Sequence, residues 1–186
     1  MSATSQNSQL AIDIGNTVVK AAVFRSGEML GPVTHLADQD WSVVDRLVTN
    51  HEVKNIIYST VANVPPPQWI DKWKSEEHFL LALGPEVPLP FTSDYSTMGT
   101  LGQDRIAAVA GSLALPTKLA PAVAPKLIVD AGTCATLDLI DGRANYQGGN
   151  ISPGIRMRLK AMHAFTARLP ALDPADVTGR VGQSTA

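Results

Sequence analysis

The sequence predicts an α/β protein built of two related lobes, and three observations predict it. A short apolar run ending in Asp-x-Gly occurs twice. Leu10-Ala11-Ile12-Asp13-Ile14-Gly15 and Leu127-Ile128-Val129-Asp130-Ala131-Gly132 match position by position at a constant offset of 117 residues. Each copy is followed by a second β-prone stretch, Val18–Phe24 and Thr133–Ile140. Between the copies, Pro116–Pro125 contains three prolines and no periodicity, the signature of a linker. A single long-range repeat is too little for a solenoid and fits two homologous lobes. The expected organisation is a polar tail over residues 1–8, a first lobe over 9–115, a linker over 116–125 and a second lobe over 126–186.

The first lobe reads β-β-β-α-β-α-β. Leu10–Ile14, Val18–Phe24 and Met29–His35 form a meander, with a turn at Ser26-Gly27-Glu28. Trp41, Val44, Leu47 and Val48 recur at helical spacing behind Asp40, which is placed to cap a helix over Trp41–Val48. Asn55–Ala62 is a buried strand. Pro65-Pro66-Pro67 opens a helix carrying Trp69 and Trp73, which pack the lobe, and Phe79–Leu83 is the next strand. Phe91–Leu101 reads as irregular. Gly102-Gln103-Asp104-Arg105 then opens an Ala-rich helix, Ile106–Leu115. In the second lobe, Asp141-Gly142 signals a hairpin, and Asn145-Tyr146 and Gly148-Gly149 read as further turn chemistry. Gly154–Arg168 reads as a helix with Ile155, Leu159, Met162 and Leu169 on a core-facing stripe.

Bulk properties narrow the function. With 15 basic and 17 acidic residues the net charge is −2, which gives no electrostatic argument for nucleic acid or an anionic membrane. The single cysteine, Cys134, rules out an intramolecular disulfide and a Cys-based zinc site, and it reads as a small buried hydrophobe. The four histidines show no ligand spacing. The most apolar stretches fall well short of the roughly 20 residues that span a bilayer. Met1–Gln9 is polar and lacks the basic start of a signal peptide. A soluble, cytoplasmic protein is expected.

The two Asp-Gly turns carry the chemistry. A strand that ends in Asp projects a carboxylate at the sheet edge. The glycine after it lets the backbone approach a ligand and point N–H groups at phosphate oxygens. Thr17 and Thr133 add hydroxyls, and Lys20 adds a positive charge. A carboxylate beside phosphates requires a cation between them, so Asp13 and Asp130 imply metal-mediated contacts. The third feature is the helix start at Gly102–Arg105, where free N–H groups and the helix dipole favour anions. Arg105 there can grip a carboxylate and Asp104 can accept a hydroxyl proton. The plain structural alternative is a first-turn acid paired with Arg105.

Together these residues resemble the type III pantothenate kinases. The matching segments are Asp13-Ile14-Gly15-Asn16-Thr17-Val18-Val19-Lys20, Gly102-Gln103-Asp104-Arg105, Asp130-Ala131-Gly132-Thr133-Cys134 and Gly148-Gly149-Asn150-Ile151-Ser152-Pro153-Gly154. The last of these runs on through Met157, Arg158 and His163 to Phe165–Pro170. The resemblance implies two ribonuclease H-like lobes of the actin-like superfamily, which also holds sugar kinases and heat-shock ATPases. It implies ATP-dependent phosphorylation of pantothenate, the first step of coenzyme A biosynthesis. Asp13, Ile14, Gly15, Asn16, Thr17, Val18, Val19 and Lys20 would line the first phosphate turn, with Asp13 near magnesium. Gly132 and Thr133 would meet ATP phosphates, and Asp130 would hold a monovalent cation, potassium or ammonium. Asp104 would be the general base. Tyr95, Gly102, Gln103 and Arg105 would contact pantothenate, Arg105 at its carboxylate. A homodimer is implied, with the Gly154–Arg168 region near its interface.

At the end of the chain, Gly182-Gln183-Ser184-Thr185 matches the start of a further family helix, whose threonine reaches the neighbouring subunit's pantothenate pocket; Thr185 would fill that role. Family members continue further, with helices that complete the second lobe and much of the adenine pocket. A truncated second lobe with exposed apolar surface, poor folding and little activity is therefore expected of these 186 residues. Two other readings stay open: an actin-like kinase acting on a sugar or acetate, and a non-catalytic relative or inactive fragment. A neutral sugar has no need of Arg105. Intact Asp13, Asp104 and Asp130 argue against the non-catalytic relative.

Overall fold

The computed structural model describes residues 7–61, 64–84, 86–115 and 124–176. The chain divides into two compact units, Met1–Leu89 with Thr97–Ala107 and Pro90–Ser96 with Ala108–Ala186.

In the first unit, β1 (Ser8–Ile14) and β2 (Val19–Arg25) form an antiparallel hairpin, and β3 (Glu28–Met29) and β4 (Thr34–Leu36) both pair with β2. α1 (Ser42–Asn50) leads to β5 (Val53–Thr60), and α2 (Pro67–Ser75) leads to β6 (Phe79–Ala82). β5 pairs in parallel with both β1 and β6, so the sheet order is β3-β2-β1-β5-β6. An antiparallel meander on one side and helix-linked parallel strands on the other is the arrangement expected of a ribonuclease H-like lobe. Alternation along β1 buries Leu10, Ile12 and Ile14 on one face, where they meet Val44 and Val48 of α1 and Trp73 of α2. Each such side chain contributes about 1.5–3 kcal/mol when fully buried. Trp69 packs against this core, with its ring centroid 6.3 Å from that of Trp73.

Several boundaries differ from the sequence reading. The polar tail ends earlier, because Ser8 is the first residue of β1 and is buried, its Oγ accepting hydrogen bonds from Arg25 Nε and Nη2 at 3.1 and 2.9 Å. The expected strand Met29–His35 is two short strands, interrupted where Gly31 takes φ +94° before Pro32. α1 starts at Ser42, so Trp41 rather than the expected Asp40 takes the cap position; Asp40 stands just before it and its Oδ1 accepts the Ser42 N–H at 3.0 Å. Pro67 stands in the first turn of α2, where its missing N–H costs nothing.

α3 (Gln103–Ala114) contains the division between the units. In the second unit, β8 (Lys126–Ala131), β9 (Cys134–Ile140) and β10 (Asn145–Pro153) form an antiparallel meander. β7 (Thr92–Ser93) runs parallel to β10, giving the order β7-β10-β9-β8. The segment expected to be irregular therefore contains a strand, too short to show periodicity. Asn145-Tyr146 and Gly148-Gly149 lie within β10 rather than in turns. The hairpin at Asp141-Gly142 is as expected: Asp141 Oδ1 accepts the N–H groups of Arg143 and Asn145 at 2.8 and 2.9 Å.

α4 (Ile155–Ala164) is shorter than the expected helix and buries none of its residues: of the core stripe expected there, Ile155 and Met162 are exposed, and Leu159 and Leu169, the latter beyond the helix, are half-buried. Leu127, Val129 and Leu139 are also exposed, with Leu127 opposite Leu139 across the β8–β9 pair. Phe165 is 87% exposed. Cys134, expected to be buried, is exposed because the end of β9 that carries it is uncovered among the described residues. Among those residues no helix is long and apolar enough to cross a membrane. Residues 1–6 of the expected tail, 116–123 of the expected linker and Thr185 lie outside the described residues.

Candidate active site

The first unit gathers one group of the sequence-selected residues at the C-terminal end of β1. Asp13 is half-buried and stands directly across from Lys20 on β2. The turn between them is closed by the Gly15 N–H, which donates to the Val18 carbonyl at 3.1 Å. A Cβ on Gly15 would stand 3.1 Å from the same oxygen, tighter than ordinary contact. Asn16 and Thr17 are exposed at the tip. Gly15, Asn16, Thr17 and Val18 line a polar concavity of about 460 Å³ together with Asp38 and Gln39. Sequence reasoning did not select those last two. They come to the turn because Leu36 pairs with Val19, and both adopt left-handed backbone, with φ of 48° and 55°.

The end of β5 ties this turn to the start of α3. In the parallel register Asp13 pairs with Ser59 and Ile14 with Thr60. Ser59, only 6% exposed, donates its hydroxyl hydrogen bond to Asp13 Oδ1 at 3.1 Å. The next residue, Thr60, donates its backbone N–H to Gln103 Oε1 at 2.8 Å. Neither was selected from the sequence; the only signal was the apolar run Asn55–Ala62 interrupted by two hydroxyl residues. At the helix start the Gly102 carbonyl accepts the Ile106 N–H at 3.1 Å, and Asp104 Oδ1 accepts the Arg105 N–H at 2.8 Å. The Asp104 carboxylate lies over Gly102, in the space a Cβ there would require. Arg105 is 6% exposed and is not without a partner. A buried guanidinium requires one.

The second unit carries Tyr95, Asp130, Gly132 and Thr133. Asp130 is exposed near the end of β8, and the Gly132 N–H donates to the Cys134 carbonyl at 2.9 Å. The two Asp-Gly turns are alike in hairpin form and unequal in length. Four residues separate the paired Ile14 and Val19, and three separate Ala131 and Ala135. Gly154 packs directly on the second turn. Its N–H donates to the Thr133 carbonyl at 3.1 Å, and a Cβ there would press on the Gly132 and Thr133 carbonyl oxygens. Tyr95 is held by the Ser93 hydroxyl, which accepts its N–H at 3.0 Å, and by its ring lying edge-on to Tyr146 at 5.7 Å. Gly148, at φ +109°, stands against the same ring. Tyr146 donates its hydroxyl to Asp138 Oδ1 at 2.7 Å, and both side chains are fully buried. Asp138 was not selected from the sequence, although a carboxylate within the apolar run Leu137–Ile140 is a readable signal.

Among the described residues no three His, Cys, Asp or Glu side chains converge on a metal-ligating group. A single half-buried carboxylate with a hydroxyl donor beside it is the donor set on offer at Asp13. That set fits magnesium, which keeps much of its water and takes one or two carboxylates together with substrate phosphates.

Residues 9–186 match the type III pantothenate kinase family. Proteins named type III pantothenate kinase from Flavobacterium psychrophilum, Phocaeicola vulgatus and Christiangramia forsetii are 33%, 38% and 37% identical to the chain. Each match covers 95% of this chain and 70% of the relative. Among solved structures, an Aquifex aeolicus member of the Ppx/GppA family aligns with a TM-score of 0.47 at 14% identity, over 89% of this chain and 56% of that one. YeaZ from Pseudomonas aeruginosa aligns with a TM-score of 0.39 at 12% identity, over 79% and 68%. With its paired Asp-Gly turns, its Gly102–Arg105 helix start and sequence identity along nearly its whole length, the chain belongs to the type III pantothenate kinase family, whose activity is ATP-dependent phosphorylation of pantothenate in coenzyme A biosynthesis.

Proposed function

We propose that this chain carries out the family reaction with Asp104 as the general base. The observation that carries the reading is the hold on the start of α3. Thr60 fixes Gln103 one residue away from Ser59, which is bonded to Asp13, so the phosphate turn and the α3 start are joined at one sheet end. Asp104 takes the proton of the pantothenate hydroxyl as that oxygen attacks the terminal phosphoryl group of ATP. A carboxylate of ordinary basicity suffices when the transition state is loose and positioning dominates. Gly102, Gln103 and Arg105 orient pantothenate, Arg105 at its carboxylate, and Tyr95 adds a second contact. The N–H groups and side chains from Ile14 to Lys20 hold ATP phosphates, as do Gly132 and Thr133. Asp13 holds magnesium through water, and Asp130 holds a monovalent cation, potassium or ammonium. When bound, these cations offset the phosphate charge that the two carboxylates would otherwise repel. A homodimer completes the reading, with Thr185 assigned to the second subunit's pantothenate binding. The setting of this reading is the cytoplasm.

A coupled assay on the purified chain tests this, with pantothenate compared against a panel of sugars, with and without potassium. Whatever phosphopantothenate forms should depend on potassium. Asp104→Asn keeps an oxygen for the Arg105 N–H, so it should abolish turnover while leaving ATP binding intact. Transfer to sugars in preference to pantothenate, or unchanged turnover in Asp104→Asn, overturns the assignment.

A further inference from the structure

We propose that Ser59 is a positioning residue for the phosphate side of the site, acting through the carboxylate of Asp13; this rests on the reading of Asp13 given above. Three observations place it. Ser59 is paired in register with Asp13 across the parallel β1–β5 ladder, so the two side chains leave the sheet on the same face. Its hydroxyl donates to Asp13 Oδ1 at 3.1 Å. It is also one of very few polar groups on an otherwise apolar concavity of about 290 Å³, lined by Ala11, Ala22, Phe24 and Ile57 together with Asp13 and Lys20.

A serine confined to such a surface needs a partner, and the one it has is the carboxylate. The bond occupies Oδ1 and fixes the carboxylate plane, which leaves Oδ2 to face a hydrated cation. Without it the carboxylate would rotate about its terminal torsion, which is broad and nearly free for aspartate. Thr60, the next residue, acts on the other substrate's side through its backbone N–H, a donor that no side-chain change at residue 60 can remove. Ser59 is thus the adjustable half of the pair.

The test is calorimetric binding of ADP to the whole chain without pantothenate, with and without magnesium, for wild type, Ser59→Ala and Ser59→Thr. Loss of a hydrogen bond to a charged group predicts about tenfold weaker magnesium-dependent binding in Ser59→Ala. Metal-free binding should be unchanged. Ser59→Thr keeps the hydroxyl, and the concavity has room for its methyl group, so it should bind as wild type does. Equal magnesium-dependent affinity in wild type and Ser59→Ala overturns the proposal. So does a folded Ser59→Thr as weak as the alanine variant. If wild type itself shows no magnesium-dependent binding, the reading of Asp13 fails, and this proposal fails with it.

Discussion

Asp104 folds its carboxylate back over Gly102. Oδ1 accepts the Arg105 N–H at 2.8 Å and fills the volume where a Cβ on residue 102 would stand. The glycine is therefore required by the shape of its neighbour's side chain rather than by its own backbone, which is not left-handed. Gly102→Ala forces the carboxylate to turn away while the helix stays intact. With Asp104 as the base, a shift of this kind lowers kcat by about 100-fold. Stability should hold or rise by about 0.4–1 kcal/mol, because alanine narrows the unfolded ensemble. Steady-state kinetics beside thermal unfolding check both halves; a loss of stability without a loss of kcat would mean that Gly102 serves the fold.

Gln103 separates anchoring from binding in a single side chain. Its Oε1 is taken by the Thr60 N–H at 2.8 Å, which leaves the amide NH2 as the group available to a substrate. Gln103→Glu retains an oxygen for Thr60, removes the NH2 and adds a negative charge. If Gln103 contacts anionic pantothenate, KM for pantothenate rises by about tenfold or more, with kcat and the unfolding midpoint little changed. An unchanged KM would remove Gln103 from the substrate contacts.

Gly154 is held to the second turn by backbone alone. A Cβ at this position would lie 2.5 Å from the Thr133 carbonyl oxygen and 2.9 Å from its carbonyl carbon, and backbone atoms cannot rotate aside as Asp104 can. Gly154→Ala therefore shifts the Gly132–Thr133 turn and destabilises the second unit by about 1–3 kcal/mol, the usual cost of overpacking. Urea unfolding measures the loss, and nucleotide titration should show weaker binding if that turn meets ATP phosphates.

These sites differ in how far the sequence reveals them. Asp13, Gly15, Gly102 and Asp104 stand in local patterns, a strand followed by a turn or a helix start, and such patterns are legible at short range. Ser59 and Thr60 are not, because their partners lie 46 and 43 residues away and the link exists only once β5 has paired with β1. β7 was missed because two residues show no period, and its pairing with β10 is again long-range. The stripe on α4 was misread for a related reason. Periodicity reports which residues share a helix face, and it cannot report whether anything covers that face.

The hairpin between β9 and β10 carries a carboxylate whose stabilising charge acid should remove. Backbone hydrogen bonds from Asn145 and then Arg143 hold the Asp141 carboxyl below the usual carboxylate range. A folded value below the unfolded one means the group stabilises the protein above the unfolded pKa, and that stability is lost as pH falls through the folded value. The contribution is therefore complete at neutral pH, begins to fade near about pH 4 and disappears below that. Asp141→Asn removes the titrating group. Thermal unfolding of both proteins from neutral to acid pH should show wild type more stable by a constant margin, which closes only in the acid range. A margin that persists undiminished in acid would show that the asparagine disturbs the turn for reasons other than charge.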